Sequence, residues 1–99
     1  MEIKTSSDAI STKIDIHGVI RSIEDSEKLK EALNTLSTTT VEINVYDSFA
    51  LPSTVIGILL KKANVDKTTL YLRVHNERLF SLLDNLNLVD ALNASKITE

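Results

Sequence analysis

Residues 41–60 read VEINVYDSFALPSTVIGILL, and two periods within this stretch set the architecture. Val41, Ile43 and Val45 alternate with polar residues, the period-2 mark of a strand with one buried face. From Pro52 the period changes. Val55, Ile56, Leu59, Leu60 and Ala63 share one side of a helix. Proline belongs in a first helical turn, where its missing N–H costs nothing, so a helix is predicted from Pro52 to about Ala63. The loop between strand and helix therefore delivers Ser53 and Thr54 to a helix N-terminus, where a negative charge is electrostatically welcome.

Working downstream, Asn64 to Lys67 makes a turn, and Thr69 to Val74 alternates again, with Leu70, Leu72 and Val74 inward. Asn76 is a helix cap before Leu79, Phe80, Leu82, Leu83 and Leu86. Asn87 stands at the left-handed stop position. Leu88, Val89 and Leu92 form a further apolar turn or short helix, and Asn93 to Glu99 is expected to fray. Upstream, Glu2 to Thr5 reads as a short first strand. Thr12 to Ile20 reads as a second, with Ile14 and Ile16 on one face and Gly18 marking a bulge or a close backbone approach. Ile23 to Leu36 carries the stripe Leu29, Ala32, Leu33, Leu36 behind a Ser22/Asp25 capping pair. The expected order is β-β-α-β-α-β-α. It predicts one α/β domain spanning residues 1–99, with its core over about 12–92. The sheet is mixed, with four to five strands, parallel neighbours and right-handed crossovers. Because every strand alternates, helices are expected mainly on one sheet face.

Composition narrows the function. A formal net charge of −3 with 11 basic residues offers no basic stripe for nucleic acid. Zero cysteines remove disulfides, thiolate metal sites and cysteine nucleophiles. The longest apolar run, Val55 to Leu60, is too short to span a bilayer. Met1 to Ser7 lacks the apolar centre of a secretion signal, so a cytoplasmic domain is expected. Only two glycines are present, with no phosphate-binding loop and no Gly-x-Ser-x-Gly elbow. An enzyme using Ser53 with a histidine therefore lacks its supporting motif, and no cofactor is expected. His17 and His75 have no carboxylate at ligand spacing and read as solvated edge residues rather than metal ligands. The acidic residues Glu24, Asp25, Glu27 and Glu31 interleave with Lys28 and Lys30 as a wet helix face.

Three places in the chain resemble the STAS domain, the family of sulphate transporters and anti-sigma factor antagonists, over about residues 12–92. Ile14-Asp15-Ile16-His17-Gly18 is similar to the family's apolar strand ending in glycine. Residues 41–60 match, without gaps, a strand, a six-residue loop and an Asp-Ser-Ser/Thr-Gly-Leu-Gly helix start. Leu86-Asn87-Leu88 falls at the family's Gly-Leu turn. In that register Ser53 takes the family's phosphorylated serine, with Thr54 as the next hydroxyl, Ile56 as the leucine and Gly57 as the second glycine. Pro52 replaces the family aspartate and Val55 the first glycine. An alternative register on Asp47-Ser48 shortens the loop and pushes Pro52 inside the helix, at a cost of about 3 kcal/mol.

The resemblance implies a regulator that works by protein–protein binding. Ser53 is its candidate phospho-acceptor, with Thr54 and Ser48 ranked lower. Asp47, Ser48, Phe49, Pro52, Ser53 and Thr54 are the candidate partner surface, facing an ATP-binding anti-sigma or serine-kinase-like protein that supplies the nucleotide. Any serine at a helix start can equally serve the first-turn N–H groups. Ala50 and Leu51 are expected under the helix with Phe49 exposed, and Asp47 and Ser48 as caps of nearby backbone. The lost aspartate also fits a second implication, a non-phosphorylated accessory subunit bound to the ATPase of a lipid-transport ABC system.

Overall fold

The computed structural model describes residues 1–36, 38–66 and 68–97. Its elements are β1 (Glu2–Ser7), β2 (Ser11–His17), α1 (Ile23–Asn34), β3 (Thr40–Val45), α2 (Ser53–Asn64), β4 (Thr69–Val74), α3 (Glu77–Asn85) and β5 (Ala94–Lys96). The five strands form one sheet in the order β1-β2-β3-β4-β5. β1 runs antiparallel to β2, joined by a hairpin in which Asp8 Oδ1 accepts the N–H groups of Ile10 and Ser11, both at 2.8 Å. The remaining pairs are parallel. Each β–α–β unit steps the same way across the sheet, so right-handed crossovers carry all three helices to the same side.

That side holds the core. Ile14, Ile16, Val41, Ile43, Val45, Leu70, Leu72 and Val74 meet Leu29 and Leu33 of α1, Val55 and Leu59 of α2, and Leu79 and Leu83 of α3. Full burial of each such side chain is worth about 1.5–3 kcal/mol before chain entropy is counted. The opposite face is polar. Lys13 and Tyr71 are exposed there, and Arg73 donates Nε–H to Glu42 Oε1 between neighbouring strands. The mixed, one-sided α/β sheet expected from the alternating strands is the one observed.

Three details differ from the sequence reading. β2 stops at His17 rather than Ile20, because Gly18 adopts φ +89°. A Cβ at Gly18 would lie 3.1 Å from Met1 Cα, so both the turn and the close approach require glycine. α1 ends at Asn34, where the Thr35 N–H reaches back to the Glu31 carbonyl at 3.1 Å. The segment expected to fray instead contributes a strand. Asn87 and Asn93 take left-handed φ of 58° and 47°, and Asn93 Nδ2 donates to the Leu70 carbonyl at 2.9 Å. Leu92 is fully enclosed, and Ala94–Lys96 pairs with Leu72–Val74. The turn residue Lys67 and the terminal Thr98 and Glu99 lie outside the described residues. Among the described residues no helix is long and apolar enough to cross a membrane.

Candidate functional site

Ser53 is the first residue of α2, and Pro52 is its N-cap, with φ −58° and ψ 148°. The Pro52 carbonyl accepts the N–H groups of Val55 at 3.0 Å and Ile56 at 3.1 Å. Proline has no side-chain acceptor, and no side-chain hydrogen bond caps the helix. Ser53 and Thr54 are both exposed. The sequence reading allowed Ser53 to serve as a cap. In the structure it stands one residue inside the helix, its hydroxyl on the surface of the helix's positive end.

The preceding loop is bonded from within. Asp47 Oδ2 accepts the Gly18 N–H at 2.7 Å. Ser48 Oγ accepts the Ile20 N–H at 3.3 Å and donates to the Ala50 carbonyl at 2.7 Å. Both residues cap backbone as expected, but mostly across to the loop after β2 rather than within their own. Ser48, placed at the partner surface by the sequence reading, is 0% exposed. Leu51 is buried beneath α2, whereas Phe49 is 52% exposed. The loops after β2 and β3 thus form one surface. Its groove of about 270 Å³ is lined by Val19, Ile20, Arg21 and residues 49–52. A smaller cleft of about 130 Å³ beside it is lined by Arg21, Ser22, Ile23, Pro52 and Thr54 among others. Ile23, 83% exposed at the start of α1, extends the apolar patch. Sequence reasoning passed over Ile23, although an isoleucine in the first turn lying off the stripe of Leu29 and Leu33 was a readable signal.

The two histidines are not isolated edge residues. The His17 and Tyr46 rings stack with centroids 4.4 Å apart and 1° between planes, and Tyr46 and His75 stack at 4.3 Å and 28°. Register brings them together. Ile16, Val45 and Val74 are neighbours across β2, β3 and β4, so the next residue of each strand lands in one row. Tyr46 Oη donates to Asp15 Oδ1 at 3.2 Å, while His75 Nε2 is buried with no hydrogen-bond partner among the described residues. His17 and Tyr46 immediately precede the loops that begin at Gly18 and Asp47.

At the other end of the sheet, a polar hollow of about 540 Å³ lies between the β1–β2 hairpin and the strands, with Lys13, Glu42, Tyr71 and Arg73 on its floor. The hydrogen bond from the Arg73 guanidinium, seconded by Asn44, holds the Glu42 carboxyl below the usual range. Glu42 and Arg73 are thus paired with each other. Among the described residues no group of three or more His, Asp or Glu could hold a metal ion.

No protein-family model matches the sequence, and no curated protein is significantly similar to it. Solved structures do resemble the fold. An anti-sigma factor antagonist from Mycobacterium paratuberculosis superposes with a TM-score of 0.77 at 12% identity, covering 94% of this chain and 83% of its own. The anti-sigma factor antagonist SpoIIAA in its unphosphorylated form gives 0.70 at 13% identity, covering 99% and 90%. At such identities the likeness speaks for architecture. The chain has the STAS-like fold of the anti-sigma factor antagonists.

Proposed function

We propose that this protein is a regulatory binding domain, not an enzyme, that docks a protein partner over the N-terminal end of α2 and the loop before it. The observation that carries the reading is the arrangement at residues 47–54. An exposed Ser53 hydroxyl sits on an uncapped helix end, flanked by the exposed apolar side chains of Phe49 and Ile23. Apolar residues beside a polar rim are what a docking surface presents. Asp47, Phe49, Pro52, Ser53 and Thr54 face the partner in this reading, and Ser48 holds the loop from inside.

Phosphorylation of Ser53 would add about −1.5 to −2 charges at neutral pH. The helix end would tolerate them, with a gain of about 0.3–1 kcal/mol. An apolar partner surface would instead meet a bulky dianion, so binding falls without refolding. The partner in this reading is an ATP-binding anti-sigma or serine-kinase-like protein, and the setting is cytoplasmic. Binding of such a kinase to wild type, Ser53→Ala and Ser53→Asp tests it. Wild type and Ser53→Ala should bind alike and Ser53→Asp more weakly, and equal affinity for all three removes the switch.

Pro52 favours a second reading. It removes the acidic residue that precedes the serine in the family pattern. That loss suits constitutive attachment to a larger complex such as a transporter ATPase. A pull-down from native cells separates the two, recovering either a kinase with its regulator or an ATPase with its permease.

A further inference from the structure

β1 ends the sheet, and among the described residues no strand pairs with its outer edge. An open edge carries a row of backbone donors and acceptors that another strand can complete. The occupant that the side chains of β1 fit is β1 itself.

In an antiparallel ladder formed about a two-fold axis, residue i meets residue n − i of the other copy. Successive residues point their N–H and C=O groups to opposite edges, so only residues of the same parity can meet, and n is even. Centring the ladder on Glu2 sets Glu2 against Glu2. Centring it on Lys4 sets Lys4 against Lys4. Like charges directly opposite are destabilising. Centring it on Thr5 leaves Lys4 opposite Ser6, Ile3 opposite Ser7, and Glu2 opposite Asp8. Centring it on Ile3 sets Glu2 opposite Lys4 twice and packs Ile3 on Ile3 at the axis.

Two more observations favour that register. Glu2 and Lys4 occupy the same sheet face, their side chains 3.5 Å apart and largely exposed, so both are available to a second copy. On the opposite face, Ile3 borders a groove of about 440 Å³ between β1 and α1, lined by Met1, Lys28, Glu31, Ala32 and Thr35. An axis normal to the sheet keeps the α1 helices of both copies on one side, so the two grooves adjoin. The basic Lys28 and acidic Glu31 of each can then face their opposites.

We propose that the protein forms a symmetric dimer through antiparallel pairing of β1 with β1, centred on Ile3, producing a continuous ten-stranded sheet. A ladder of about five residues lies in the small-interface class, so the dimer is weak and forms at high concentration. The charges that usually protect an edge act here as a selector, disfavouring the adjacent registers centred on Glu2 and Lys4 and favouring the one between them.

Sedimentation velocity from about 10 to 500 μM, a range suited to interfaces of this size, tests the proposal. Wild type should shift from monomer to dimer across it. Lys4→Glu should weaken the dimer about tenfold, since both cross-axis pairs turn repulsive. Reversing both charges, Glu2→Lys with Lys4→Glu, should restore it, because the same register again pairs opposites. Thermal melts of dilute samples read separately any effect of facing residue 4 to Asp15 within the monomer. A wild type that stays monomeric throughout overturns the proposal, as does a Lys4→Glu protein that dimerises equally well or a double reversal that does not recover.

Discussion

The three helices begin in two different ways. α1 opens on a complete capping box. Ser22 Oγ accepts the Asp25 N–H at 3.1 Å, while the Asp25 carboxylate accepts the N–H groups of Ser22 and Arg21. α3 opens on Asn76, whose Oδ1 accepts the N–H groups of Arg78 at 2.9 Å and Leu79 at 3.2 Å. α2, the central helix, opens on Pro52 with no side-chain cap. Orphan N–H groups at a helix start are ordinarily met by side chains. The chain does this at the two flanking helices and omits it where the candidate site lies. An uncapped end keeps its partial positive charge available to an incoming group. The loop that leads to it is held instead by the buried Ser48, from behind the surface, and by the exposed Asp47 through the Gly18 N–H.

The largest effect should come from the support beneath the open end. Ser48→Ala leaves the Ile20 N–H and the Ala50 carbonyl without that partner in a fully buried place, so chemical denaturation should register a loss of about 1–3 kcal/mol. Next come the closed ends. Ser22→Ala and Asn76→Ala should each cost about 1 kcal/mol, whereas Ser53→Ala should fall within about 0.5 kcal/mol of wild type. A Ser53→Ala loss as large as that at the two caps would erase the contrast.

Gly57 sharpens it from the other direction. It lies one turn beyond Ser53 on the exposed side of α2, and a Cβ there would meet nothing within 4 Å. Gly57→Ala should therefore raise stability by about 0.5–1 kcal/mol, read as a higher denaturation midpoint. The smallest effect concerns pH. The backbone N–H of Arg21, followed by that of Ser22, holds the Asp25 carboxyl below the usual aspartate range. Its contribution is complete above the ordinary aspartate pKa and is lost as pH falls through the lowered value. An acid titration of stability should show this limb for wild type and lack it in Asp25→Asn, while α2 has no comparable limb to lose.

Much of this was legible in the chain itself. The alternating runs around Ile14, Ile43 and Leu72 fixed three strands and their buried face, and Ser22, Pro52, Asn76 and Asn87 marked helix ends for reasons local to the backbone. The family resemblance put Ala50 and Leu51 under the helix and Phe49 outside; Leu51 is buried and Phe49 exposed as expected, while Ala50 is only half-buried. What escaped was set by register between distant segments. β5 depends on Asn93 reaching the Leu70 carbonyl, and the row of rings depends on three strands ending level. Neither leaves a periodic trace. The cap role of Ser48 was readable, but its burial was not, for the same reason. A serine in a loop reads as surface until a second loop, 28 residues earlier, is laid over it.

The sandwiched Tyr46 also gives the molecule a reporter of its own. The chain has two tyrosines and no tryptophan, so its near-ultraviolet emission comes from Tyr46 and Tyr71 alone. With Tyr71 replaced by phenylalanine, the remaining signal arises from a phenol pressed between imidazoles and bonded to a carboxylate, one residue before the loop that carries Phe49. Anything that settles on that loop and disturbs its footing should change the brightness of a single ring, so occupancy can be followed without attaching a dye.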